Sequence, residues 1–496
     1  MSSATNFFKV ILMVVVSATM AAAAAPTLTL SPNTDPPSPA VGTPVVFQVS
    51  ATNFPASTAV DIYFDTVDVA LAVTSATGGF SKINVQVPAT AVPGAHTVTG
   101  VARGTTGTAA QASFTVQTNW SQFRYSALHR GRNPYENVLT TTNVGSIDLD
   151  WSYTTTGALT SSPAVSGGVV YVGSADDYLY AINATTGVLV WKFKTGNSIV
   201  DSSPAVVGST VYIGSTDDNV YAINTSTGAQ VWKFATGAAI NSSPAVIGGV
   251  VYIGSTDNNV YAINSTTGAQ IWKFATTGAV TSSPAVANGI VYVGSYDDNV
   301  YAINATTGAQ VWKFATAGKV SSSPAVSEEV VYVGSQDENL YALNARTGVE
   351  VWKYAGAGAF ESPAVFNGTV YVGSDDGVVT WINAYSGDYI TKATFTSAVV
   401  ITPTSVANNV VYFGNANGTV FGFYVVVTAI EGWRAATGGA VTGAPAIANG
   451  VVYVASQDSS LYAYDLSGSG QVKSPPPRPD PSTLQPNLQL KPTQSQ

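Results

Sequence analysis

Residues 202–232 contain Ser202-Ser203-Pro204-Ala205-Val206, Val211-Tyr212-Ile213-Gly214-Ser215, Asp217, Val220-Tyr221-Ala222-Ile223-Asn224, Thr227-Gly228 and Val231-Trp232. The apolar stretches are short, β-branched or aromatic, and each is closed by Gly, Asp, Asn or Thr-Gly, the punctuation of strands and tight turns. The pattern recurs outward in both directions. Its proline falls at Pro163, Pro204, Pro244, Pro284, Pro324, Pro363, Pro403 and Pro445, at nearly constant intervals. A repeat this regular is one supersecondary unit that cannot bury its own faces and must stack on its neighbours.

Four antiparallel strands in each interval of about 40 residues match one blade of a β-propeller. The fourth strand carries Trp191, Trp232, Trp272, Trp312, Trp352 and Trp433, with Thr391 in the sixth repeat. A surplus Trp151 precedes the first proline, while the eighth repeat stops after Leu461-Tyr462-Ala463-Tyr464 without a fourth strand. Residues near 148–154 are therefore expected to complete the last blade and close the ring, removing exposed sheet edges. The expected fold is all-β: an eight-bladed propeller over 148–466, whose N-terminal strand closes the last blade, after a lead-in segment at 118–147.

Residues 26–117 alternate apolar and polar, as in Val60-Asp61-Ile62-Tyr63-Phe64 and Ser113-Phe114-Thr115-Val116, and predict a β-sandwich. Lys9, the apolar run Val10 to Val16 and the small residues Ala21 to Ala25 predict a signal peptide over 1–25, cleaved near Ala25. This implies a secreted, extracellular or periplasmic protein with no stable membrane span. The tail 467–496, with Pro475-Pro476-Pro477, is too poor in apolar residues to fold and is expected to be a disordered Pro-rich segment.

Only 9% of residues are charged and the net charge is −9, which excludes a nucleic-acid partner because phosphate binding needs clustered cations. The absence of Cys excludes disulfides, thiolate chemistry and zinc–thiolate sites. The two histidines, His96 and His129, read as ordinary surface or turn residues.

The repeat resembles the pyrroloquinoline-quinone (PQQ) type of propeller repeat on the residues quoted at the outset. Asn119-Trp120-Ser121-Gln122-Phe123-Arg124 through Gly131 and Asn133-Pro134 resemble the segment before such propellers. Gly78-Gly79-Phe80-Ser81, Val87-Pro88-Ala89-Thr90 and Pro93-Gly94-Ala95-His96-Thr97-Val98 resemble bacterial immunoglobulin-like modules. The propeller resemblance covers quinone-dependent dehydrogenases, the scaffold lipoprotein of outer-membrane β-barrel assembly and secreted proteins without assigned roles. In the dehydrogenases it implies a quinone held between a Trp and a vicinal Cys pair, beside calcium or a lanthanide. A chain without Cys, whose repeats hardly vary in length, lacks those parts, and fold likeness does not transfer activity.

The recurring Trp and Tyr residues therefore read as packing between blades. The recurring acids, Asp176, Asp217, Asp257, Asp297, Asp337, Asp376 and Asp458, with Asn417 in the seventh repeat, read as turn residues rather than calcium ligands. Departures from consensus are more informative. Before each proline the slots hold Ser161-Ser162, Ser202-Ser203, Ser242-Ser243, Ser282-Ser283 and Ser322-Ser323, then Glu361-Ser362, Ile401-Thr402 and Gly443-Ala444. This predicts a hydroxyl-lined axial channel in which Asp201, Asn241 and Glu361 are the candidate binding residues. Trp381, in a slot that is usually Ala, is expected to compensate for the Trp missing at Thr391 and keep the core volume. The leading expectation is a non-catalytic binding or scaffold protein without catalytic residues, metal or cofactor. Its partner would be a protein or a cell-surface polymer, met through the divergent sixth to eighth repeats. The alternatives are a PQQ- and calcium-dependent oxidoreductase and a polysaccharide-binding surface protein.

Overall fold

A computed structural model describes residues 24–36, 44–105, 107–395, 401–425, 428–467 and 476–492. The expected leader lies almost wholly outside the described residues. Among the described residues, no helix is long and apolar enough to cross a membrane.

Two sheets form the N-terminal unit. One joins Thr27–Ser31, Val46–Thr52 and Phe80–Gln86; the other runs in the order Thr34–Asp35, Ala109–Val116, Gly94–Ala102, Ala59–Phe64, Val67–Val73. Alternation sends Phe47, Val49, Ile62, Phe64, Val98 and Phe114 into one core, where the rings of Phe47 and Phe114 lie 4.4 Å apart. The composition of the tail predicts no fixed structure, yet residues 476–492 lie against the larger sheet. Gln111 Nε2 donates to Pro479 O at 2.9 Å, Asn487 N donates to Asp68 Oδ2 at 2.6 Å, and Leu484 is buried. Proline restricts the unfolded chain, so few contacts suffice to order such a segment.

Among the described residues the repeats form eight sheets with at least four strands each. The second is typical: Ala205–Val207, Thr210–Gly214, Asn219–Asn224 and Gln230–Ala235, paired antiparallel in order. The eighth takes its outer strand from Asp148–Thr154, with Trp151 opposite Ala463. First strands touch their neighbours in sequence, and Ala446–Ala448 touches Ala164–Ser166, so the series closes on itself.

Neighbouring sheets are latched by one recurring contact. Trp272 Nε1 donates to Ala305 O of the next sheet at 2.9 Å, and Tyr252 Oη donates to the same oxygen at 3.1 Å. The Trp272 ring lies over Gly308, whose φ is 73° and whose Cβ, if present, would sit 2.9 Å from the ring. The Thr-Gly turn thus needs glycine both for its backbone conformation and for contact with the next ring. Each recurring acid of the regular repeats also joins two sheets: Asp257 Oδ2 accepts Tyr261 Oη at 2.6 Å and Gly237 N at 2.7 Å. These bonds lower the Asp257 carboxyl, outweighing the opposing effect of burial.

In the sixth sheet Trp381 stands directly opposite Thr391 and is 1% exposed in the core with Tyr371, Phe413 and Phe423. It replaces the missing ring from the adjacent strand. It does not replace the hydrogen bond, because Trp381 Nε1 has no partner.

Candidate functional site

The lead-in segment fills the middle of the ring. Trp120 exchanges backbone hydrogen bonds with Val165 of the first sheet, and Ser121 O accepts from Val206 N of the second. The Gln122 side chain bonds Val246 of the third through both its oxygen and its nitrogen. Ala127 O, Leu128 O, Arg130 O and Gly131 O accept from Val286, Val326, Val365 and Val406 of the fourth to seventh sheets. Asn133 Nδ2 donates to Ile447 O of the eighth at 2.8 Å. One short segment therefore visits all eight first strands in chain order and satisfies polar groups that would otherwise line an open bore.

Arg124 pins this plug. It is fully buried and donates from Nη1 to Ser362 O at 2.7 Å, from Nε to His129 O at 3.2 Å, and from Nη2 to Pro363 O. Burial lowers its pKa to about 9, partly offset by the charge of Glu361. His129 is buried too, with neither ring nitrogen bonded; burial first, then Arg124, hold its pKa down to about 3, so it stays neutral. His96 is likewise buried, between Asp65 Oδ2 and Val92 O at 2.7 Å each. His96 is not the surface residue that the sequence allowed, since it lies buried in a strand; His129 does close a turn, its N–H donating to Ser126 O at 2.9 Å, but a buried one.

Above the plug, a cavity of about 350 Å³ is lined by residues from most sheets, with Phe123 of the plug and Tyr296 as its aromatic members. Asp201, Asn241 and Glu361 all line it. Asp201 holds a left-handed backbone, φ 62°, and its N–H donates to Thr160 Oγ1 at 3.2 Å. Burial raises its carboxyl, opposed by Thr160. Glu361 is anchored through its backbone, where its N–H donates to Gly373 O at 2.9 Å. Its carboxyl is pushed up to about 7, by burial first and then by the charges of Asp375 and Asp201, against Arg124. Asn241 Oδ1, Thr281 Oγ1 and Thr442 Oγ1, which belong to the same lining, have no protein partner.

The serines are all buried, and Ser162, Ser283 and Ser323 are among those that line the cavity, while their hydroxyls also hold the sheets together. The first of each pair serves its own sheet, as where Ser242 Oγ accepts Gly254 N at 3.0 Å. The second accepts from the preceding sheet: Ser162 N to Ser203, Ser203 N to Ser243, Ser243 N to Ser283 and Ser283 N to Ser323, each at 2.9 Å, then Ser323 N to Ser362 at 2.8 Å. Ala444 N returns to Ser162 Oγ at 2.8 Å. The belt is broken in the seventh repeat. There Thr402 Oγ1 accepts Gly414 N at 2.9 Å, which makes Thr402 the counterpart of Ser202. Pro403 then occupies the slot of Ser203, one place from the alignment that its proline suggested. This explains why the interval from Pro403 to Pro445 is longer than the one from Pro363 to Pro403.

The cavity does not suit a quinone tricarboxylate. Its lining presents Asp201 and Glu361 but no Lys or Arg, so three further carboxylates would meet like charge in a partly desolvated space. Arg124 is spent on carbonyls. Among the described residues, no three His, Cys, Asp or Glu side chains converge as a metal site.

A family model described as the β-propeller of beta-alanine-activating enzyme matches residues 200–422. One described as outer membrane protein assembly factor BamB matches residues 137–255. No curated protein matches the chain. Among solved structures, BamB from Moraxella catarrhalis is similar at 19% identity and a TM-score of 0.57, covering 64% of this chain and 99% of that one. The quinohemoprotein alcohol dehydrogenase of Comamonas testosteroni is similar at 15% identity and 0.63, covering 72% and 81%. The computationally designed Ika8 protein is similar at 20% identity and 0.57, covering 63% and 97%. Identities this low speak to fold alone.

Proposed function

Because the chain carries β-propeller repeats of the PQQ-like and BamB-type families, we propose that it is a non-catalytic scaffold, secreted or held at the cell surface. In this reading the eight sheets are the blades of one closed disc, with Asp148–Thr154 completing the last, carried behind an immunoglobulin-like sandwich. The observation that supports it best is the axis: residues 120–133 bond to every first strand, and the cavity left above them presents Asp201 and Glu361 without a Lys or Arg to receive an anionic quinone. Rigid repeat discs suit partner binding because their loops present a broad surface. The divergent sixth to eighth blades are the proposed contact face for a protein or a surface polymer.

The rival reading, a quinone-dependent oxidoreductase, draws on the axial cavity, and one experiment separates the two. The purified chain is incubated with PQQ and calcium, then assayed for bound quinone absorbance and dye reduction with alcohols and sugars. No retained quinone and no dye reduction are expected; both together would overturn the scaffold reading. Secretion is tested by mass spectrometry of the mature protein, expected to begin near Pro26. A chain that retains residues 1–25 would count against it.

A further inference from the structure

On the other side of the plug, a cleft of about 190 Å³ opens between the fifth and sixth sheets. Its lining includes Arg130, Arg132, Glu328, Tyr332, Phe366 and Tyr385. The repeat builds a comparable cleft between the first and second sheets, lined by Ser166, Tyr171, Val190, Val206 and Thr225 among others and free of charge. The scaffold therefore supplies the cleft, and the end of the plug supplies two guanidinium groups to one copy of it.

Those groups are poorly occupied. Arg130 spends Nε on Val326 O at 2.9 Å. The Arg132 Nε is buried without a partner. Its guanidinium carbon lies 4.7 Å from the centre of the Phe366 ring, a stacking that fixes the plane of the fork. Neither arginine forms an ion pair within 4.0 Å among the described residues. Glu328, the one acid of the lining, lies near Tyr385 and raises the Tyr385 phenol above its ordinary range. Tyr385 is 63% exposed and forms an aromatic rim, set against Gly368 so closely that a Cβ there would meet it at 2.8 Å.

We propose that this cleft is a binding site for a small organic carboxylate, held edge-on by Arg132, supported by Arg130, and covered by Tyr385. An oriented guanidinium matches the two oxygens of a planar carboxylate. The neighbouring Glu328 disfavours a phosphate dianion more than a carboxylate monoanion. Burial, with the mutual repulsion of Arg130 and Arg132, holds the Arg132 guanidinium below its ordinary range, as expected where a counter-ion is wanted. The carboxylate could come from a free acid or from the end of a peptide chain, and the test separates the two.

The purified full chain is titrated calorimetrically with glutarate, with a tripeptide bearing a free C-terminus, with the same tripeptide amidated, and with inorganic phosphate. Saturable binding of glutarate or of the free tripeptide is expected. Tighter binding of the tripeptide, lost on amidation, assigns the site to a chain end. Tighter glutarate assigns it to a free acid. Arg132→Gln should weaken the better ligand at least about tenfold. Tyr385→Ala, at an exposed rim that leaves the core intact, should weaken it several-fold without moving the thermal midpoint. The proposal is overturned if neither carboxylate saturates, if phosphate binds more tightly than both, or if Arg132→Gln and Tyr385→Ala each bind like the parent.

Discussion

The second to fifth sheets and the sixth to eighth solve one packing problem in two ways. In the regular half, Trp232, Trp272, Trp312 and Trp352 each bond a carbonyl of the next sheet at 2.9–3.0 Å, and the serine belt is continuous. In the irregular half Thr391 and Pro403 interrupt both devices. There Phe395, Phe413, Phe421 and Phe423 crowd beside Trp381, with Phe395 and Phe421 centred 4.7 Å apart, while Trp381 Nε1 and Tyr412 Oη have no partner. The ring closes in both halves, so filled volume is what closure requires, and the polar latch is a supplement.

Substitutions can break that contrast. Trp272→Ala removes both ring and latch and should cost about 3–5 kcal/mol in denaturant unfolding. A loss below about 1 kcal/mol would show that the latch tryptophans matter little. Gly308→Ala forces a Cβ against Trp272 at a positive φ and should cost about 2–3 kcal/mol by the same measurement. The sharpest comparison is conservative: Trp272→Phe loses a hydrogen bond and should cost about 1 kcal/mol more than Trp381→Phe, whose indole nitrogen has no bond to lose.

Smaller effects concern the axis. The Glu361 carboxyl, pushed up to about 7 from an ordinary 4.5, holds its proton more tightly in the folded chain than in the unfolded one. The stability this adds is complete below about 4.5 and is lost as pH rises through about 7. Glu361→Gln should flatten that decline, gaining roughly 1–2 kcal/mol over the parent at pH 8 after allowance for solvent in the cavity. Measured stability that rises between pH 5 and 8 by an amount cancelled in the variant would contradict the sign. The smallest change is Pro403→Ser, which puts a hydroxyl where Ser362 N–H can reach it. Amide hydrogen exchange at Ser362 should slow by about tenfold, with little change in global stability.

What could be read before any coordinates was whatever repeats. Strand punctuation, the surplus strand at Trp151 and the exchange of Thr391 for Trp381 are visible because seven other copies set the expectation. Asp201, Asn241 and Glu361 stand out for the same reason, and equivalent slots converge on one axis, so three departures meet in one cavity. The plug could not be read this way. Its bonds run mostly through backbone groups, in a segment without periodicity. The serine belt was legible only as channel lining, which Ser162, Ser283 and Ser323 provide; its bonds between sheets were not, because a hydroxyl that lines a channel and one that bonds a neighbouring sheet leave the same letter in the sequence. The burial of His96 was not legible because its partner Asp65 is distant in sequence, and the turn at His129 gave no sign of being buried.

The plug also acts as a ruler. Identical contacts from sheet to sheet would tolerate insertion of another copy, since each tryptophan could dock on any Thr-Gly turn. The stretch from Trp120 to Asn133, however, meets the eight first strands once each in chain order and ends at the eighth. Duplicating residues 245–284 would leave one first strand without its central partner. Copy number in this chain is thus gauged by a short stretch that belongs to no repeat.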